Sequence, residues 1–148
     1  MAQGFADVGC VRKDAVAMAG RRGPIVISDS ERIVTLSIPE AEYLYRLSYD
    51  PRRPNRLLVS GQFRGGGIFS WAYAPGTGEL LSVADNGVPA YKCALWDGRC
   101  YYAERLAGFE ERRIVRTEHL EFTPLDAERI IERTEHNGGA ENVPEEFE

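Results

Sequence analysis

From Pro24 to Phe122, apolar residues recur at every second position in short runs, and the runs are separated by clusters of glycine, proline, aspartate and serine. Side chains on a strand alternate between two faces, whereas a helix repeats every 3.6 residues. This pattern therefore commits most of the chain to strands joined by tight turns. Either side of the polar turn SDSE, the runs PIVI and RIVTLSI place Val34, Leu36 and Ile38 on one face and Ile33, Thr35 and Ser37 on the other. YLYRLSY repeats the pattern, with Tyr43, Tyr45, Leu47 and Tyr49 opposite Leu44, Arg46 and Ser48. RLLVSGQF differs, because its unbroken apolar run predicts a strand covered on both faces.

The glycine-rich stretch GQFRGGGIFSWAYAPGTGELL, Gly61 to Leu81, raises the question of a phosphate cradle. A Walker-type loop needs a lysine after its last glycine to reach the outer phosphates, and no lysine lies between Lys13 and Lys92. A dinucleotide fingerprint needs glycine or alanine where Ser70 stands, followed by a helix, and IFSWAY reads as a strand. The glycines are expected to serve hairpins, supplying positive φ where the chain reverses. IFSWAY then sends Phe69, Trp71 and Tyr73 to one face, read as core.

YKCALWDGRCYYAERL carries the sharpest local signal. Asp97-Gly98 between alternating runs predicts a two-residue type I′ turn. The register sets Trp96 opposite Arg99, Leu95 opposite Cys100, Ala94 opposite Tyr101 and Cys93 opposite Tyr102. Tyr91, Cys93, Leu95, Cys100 and Tyr102 then share one face, while Lys92, Trp96, Arg99, Tyr101 and Arg105 share the other. Cys93 and Cys100 become diagonal neighbours about 7 Å apart, too wide for a disulfide, and read as core thiols. ERRIVRTEHLEF reads as one last strand, with Glu110 and Glu111 in a solvated turn before it.

The two ends break the period of two. VRKDAVAMA predicts a short helix over 11–19, stopped by Gly20, Gly23 and Pro24. TPLDAERIIERTEH predicts a helix over 124–136, with Thr123 as its N-cap, Pro124 in its first turn and Gly138-Gly139 as its stop. His136 falls at that helix end, where a cation complements the dipole. Residues 140–148, AENVPEEFE, read as an acidic mobile tail. The expected fold is α+β and mainly β: a single domain over 1–139 built as a curved antiparallel sheet or partly closed barrel with a C-terminal helix. FSWAYAPGTGELLSV is similar in cadence to the strand, turn and strand of a β-propeller blade, and LSYDPRRPNRLLVS has the same lilt. However, 148 residues allow three blades at most and closure needs four, so a propeller is not expected.

Composition narrows function by exclusion. The net charge of −5 and the pI near 5.2 argue against general nucleic-acid binding, which needs a basic face. The arginine cluster Arg46, Arg52, Arg53, Arg56 and Arg64 reads as a solvated turn. Three cysteines are an odd number and suit reduced thiols in the cytoplasm. No apolar run approaches the roughly 20 residues that span a bilayer. No pair of histidines or thiols has metal-site spacing, no nucleophile elbow is present, and no cofactor is expected.

Two functional readings follow. The first is a non-catalytic protein-binding or inhibitor module that presents a sheet face and the acidic tail to a protein partner. Its contact residues are Trp96, Arg99 and Tyr101, an aromatic and basic set of the kind that forms hot spots. The second is a small-ligand-binding β-barrel lined by Tyr45, Phe69, Trp71, Tyr73 and Tyr91, with His119 as its polar group and as the residue an enzyme would use. His119 earns that role by sharing a strand face with Thr117 and Glu121, near Glu118. Exposed strand edges and the C-terminal helix favour a homodimer.

Overall fold

The computed structural model of the chain describes residues 8–85, 87–96, 98–105, 112–117 and 119–137. The alternating runs form β1 (Val8–Arg12), β2 (Ala15–Ala19), β3 (Ile25–Asp29), β4 (Arg32–Ser37), β5 (Ala41–Tyr49), β6 (Leu57–Phe63), β7 (Ile68–Ala74) and β8 (Glu79–Asp85). After a 3-10 turn at Ala90–Lys92 come β9 (Ala94–Trp96), β10 (Arg99–Arg105), β11 (Arg112–Thr117) and β12 (Leu120–Leu125). The helical turn α1 (Ala127–Ile130) and β13 (Glu132–Asn137) complete the described elements. They build three antiparallel sheets, ordered β1-β2-β3-β4-β13, β12-β8-β7-β6-β5 and β11-β10-β9. No closed barrel forms among the described residues.

The second sheet is the middle layer, and its sequence explains why. Leu57, Val59, Phe69, Trp71, Tyr73 and Leu80 face the first sheet, where they meet Ala17, Ile25, Ile27, Val34 and Leu36. The intervening Leu58, Ala72, Leu81 and Val83 face the third sheet, where they meet Cys93, Leu95 and Cys100. An unbroken apolar run such as Leu57-Leu58-Val59 is what a strand with a core on each side requires. Each fully buried leucine of this kind contributes about 1.5–3 kcal/mol.

Glycines fit the turns as expected: Gly66, Gly67, Gly78 and Gly98 have φ of 94°, 88°, 80° and 79°. Asp97, the other half of its turn, lies outside the described residues, as do Glu110, Glu111, Glu118, Gly138, Gly139 and the tail 140–148. Gly61 has a different role. It lies within β6 under the Phe69 ring, and a Cβ there would stand 2.5 Å from Phe69 Cζ.

The structure corrects several expectations. Residues 11–19 are not a helix but most of the β1–β2 hairpin, which turns at Lys13-Asp14. Ala15, Ala17 and Ala19 are buried alternately, so small side chains on a period of two packed under a sheet outweigh the helix propensity of alanine. The helix over 124–136 shrinks to Ala127–Ile130, with Asp126 rather than Thr123 at its N-cap position and no capping hydrogen bond from the Asp126 side chain. Thr123 and Pro124 belong to β12, an edge strand that tolerates a residue without an N–H. Ile131 turns into the core and the chain continues as β13, so His136 stands opposite Ile33 in a strand. The single last strand is two: β11 lies in the third sheet and β12 in the middle one. In β5, register shifts between Ala41 and Tyr43 and between Leu44 and Arg46 turn Ala41, Leu44 and Leu47 all inward. Tyr45 is thereby left on the outside, 43% exposed.

Candidate functional site

The third sheet presents its outer face to solvent. Its pairings set Trp96 beside Arg99, Ala94 beside Tyr101, Tyr101 beside Arg116 and Ala103 beside Ile114. Leu95 and Cys100 point the other way, into the second core. The expected trio Trp96, Arg99 and Tyr101 therefore shares one face, with the register anticipated except that Cys93 precedes β9 and Tyr91 sits in the 3-10 turn. Trp96 is 47% exposed and Ile114 is 71% exposed. The Arg46 guanidinium, reaching from β5, stacks 4.0 Å from the centroid of the Trp96 ring. A stacked cation of this kind holds an exposed indole in one orientation.

Polar contacts fasten this sheet to the layer beneath. Ser70 Oγ donates to the Cys93 carbonyl at 2.9 Å, and the Leu95 amide donates to Ser60 Oγ at 3.4 Å. Beyond the hairpin, Arg52 Nη2 donates to the Gly98 carbonyl at 2.5 Å. Arg52 is positioned by Asp50, whose carboxylate is fully buried and accepts from Arg56 Nε at 3.0 Å, Arg56 Nη2 at 2.6 Å and the Arg52 amide at 2.9 Å. Arg56 is itself buried and packs on the Phe122 ring, its guanidinium carbon 4.3 Å from the centroid. The arginine cluster is thus divided: Arg53 is exposed in the 51–55 turn as expected, while the other four arginines brace the structure. Arg46 holds Trp96, Arg52 and Arg56 hold the hairpin, and Arg64 Nε donates to the Pro39 carbonyl at 3.1 Å.

The residues expected to line a barrel are divided. Phe69, Trp71 and Tyr91 border a cleft of about 450 Å³ lined also by the Pro39-Glu40 turn and by Arg129 and Ile130 of α1. Tyr73 is buried and accepts a hydrogen bond from Arg133 Nη1, facing a separate cleft near Gly76–Gly78. Tyr45 donates to Gln62 Oε1 on the outside of β5. His119 is exposed at the corner between β11 and β12, its amide donating to Thr117 Oγ1 at 3.0 Å, and it does not border the cleft.

The thiols are poorly suited to nucleophilic chemistry. Burial pushes Cys10 up to about 11 and Cys100 up to about 12, and it raises Cys93 as well. A thiol acts as a nucleophile through its thiolate, which burial here suppresses near neutral pH. Burial likewise pushes the Tyr49 phenol up to about 12. Among the described residues, no three histidine, cysteine, aspartate or glutamate side chains gather to hold a metal ion, and no helix is long and apolar enough to cross a membrane.

Sequence reasoning missed Arg46, Ile114 and Arg116 on the outer face, and Phe63, Arg129 and Ile130 at the cleft. The first group depends on which layer each strand joins, and the last two residues were read as part of a longer helix. Comparison with protein-family models, with curated proteins and with solved structures finds no match to this chain.

Proposed function

We propose that this chain is a non-catalytic protein-binding module, of the inhibitor kind, that engages a protein partner through the outer face of its third sheet. The observation that carries this reading is the exposed Trp96, held under the Arg46 guanidinium beside Arg99 and Tyr101. Tryptophan, tyrosine and arginine dominate interface hot spots, and a side chain fixed before binding loses little entropy when the partner arrives. Arg99 and Arg116 flank the apolar centre, so the complementary surface is an apolar depression rimmed by carboxylates. The glutamate-rich residues 140–148 supply an acidic second contact in the same reading. The face lies on a layer fastened by Ser60, Ser70 and Arg52, which gives it the rigidity an inhibitor needs.

The test is affinity capture from the native host with wild-type and Trp96→Ala baits matched for thermal stability. A hot-spot loss of about 2 kcal/mol predicts that the captured partner binds Trp96→Ala about 30-fold more weakly. Equal retention by the two baits would overturn the assignment.

A further inference from the structure

We propose that the cleft bordered by Phe63, Phe69, Trp71 and Tyr91 is a binding site for a small aromatic or short-chain acyl carboxylate. It opens on the first-sheet side of the middle layer, opposite the face that carries Trp96, so it stands independently of the protein-binding reading. Its volume of about 450 Å³ lies within the range of small-molecule sites, roughly 300–1,000 Å³.

The floor is an aromatic cluster. Ring centroids of Phe63 and Phe69 are 4.9 Å apart and those of Phe69 and Trp71 are 4.4 Å apart. Phe69 is held in place by its seat over Gly61. Strands position these rings, so the floor exists before any ligand arrives and binding requires little ordering. Tyr91, 57% exposed at the mouth, offers a second ring against which a flat or acyl body can lie.

Charge at the rim selects the head group. The Arg129 side chain borders the cleft, and among the described residues it has no ion pair or side-chain hydrogen bond. Arg64 braces the Pro39-Glu40 turn that forms the opposite lip, and Lys92 Nζ lies 5.9 Å from the Tyr91 centroid. Among the described residues one cation, Arg129, and one carboxylate, Glu40, line the cleft, and Arg64 and Lys92 adjoin lining residues. The apolar floor cannot solvate an ion, so the charge stays at the rim, where a planar guanidinium pairs two oxygens at once. Glu40 disfavours a second negative charge, which selects a monoanion over a dianionic phosphate.

The test uses Trp96→Phe protein, in which Trp71 is the sole indole, titrated with 4-phenylbutyrate and separately with the neutral 4-phenylbutyramide. A saturable change in Trp71 emission is expected at micromolar to millimolar carboxylate, with the amide about tenfold weaker, the loss of one charge-assisted contact. Arg129→Gln should weaken the carboxylate about tenfold and leave the amide unchanged, and Arg129→Lys, which keeps the charge but not the two-pronged fork, should restore only part of the difference. Amide shifts in ¹H-¹⁵N spectra should centre on Phe63, Phe69 and Ile130. The proposal is overturned by any of three results: no saturable change, equal affinity for carboxylate and amide, or shifts centred on Tyr101 and Ile114.

Discussion

Replacing Asp50 by alanine removes the counter-charge of a guanidinium that is almost wholly withdrawn from water. The Asp50 side chain is 0% exposed and that of Arg56 is 9% exposed. Both carboxylate oxygens are occupied, Oδ2 by Arg56 and Oδ1 by the Arg52 amide and, at 3.4 Å, by Arg52 Nη1. Two charges brought out of water gain little over a hydrophobic pair, but removing one of them strands the other. The cost of that is about 3–5 kcal/mol, a large share of the roughly 5–15 kcal/mol that holds a domain folded. Asp50→Asn keeps the shape and one acceptor but turns a donor toward Arg56, and about 1–3 kcal/mol is expected. The double variant Asp50→Leu/Arg56→Met leaves no buried ion behind, since the remaining partner Arg52 is 41% exposed, and should recover most of the loss. Urea unfolding at constant m-value measures all three. If Asp50→Ala costs less than about 1 kcal/mol, the pair behaves like a surface salt bridge and the argument that it clamps the third sheet fails.

Gly61→Ala should destabilise by about 1–3 kcal/mol, because its Cβ would stand 2.4 Å from the Tyr43 carbonyl oxygen and 2.5 Å from Phe69 Cζ, and the aromatic near-ultraviolet dichroism should change as the ring moves. An unaltered spectrum with unaltered stability would contradict that packing. Cys93 and Cys100 should resist a water-soluble thiol reagent at pH 8 until urea is added, and rapid modification of either would refute their burial. Cys100 binds its proton more tightly folded than unfolded, so its contribution to stability is intact below pH 9 and is lost as the pH climbs toward about 12. Cys100→Ala should therefore lose less stability than wild type between pH 9 and 11, and identical losses would count against the assignment.

The hairpins were legible because their information is local. A glycine at positive φ between alternating runs names the turn and the register together, which is why Trp96 was matched with Arg99 and Leu95 with Cys100. The bulges of β5 were not legible, since they serve the packing of Leu44 and Leu47 against another sheet and leave no mark in YLYRLSY. VRKDAVAMA and ERTEH failed as helices for a related reason: alanine-rich and charged segments favour helix in isolation, and only the partners β3 and β4 make them strands. Half of the outer face was readable from one hairpin. Ile114 was not, because its strand was joined to the wrong layer.

The first and middle sheets each take their last edge strand from the far end of the chain: Glu132 pairs with Ser37, and Leu125 with Leu80. Such distant closures are slow, and a chain emerging from the ribosome at about 5–20 residues per second must wait for them. Until that segment leaves the exit tunnel, β4 and β8 offer bare backbone to any neighbour. The nascent polypeptide is therefore at risk of mispairing from the emergence of β8 until residues 120–137 have cleared the ribosome.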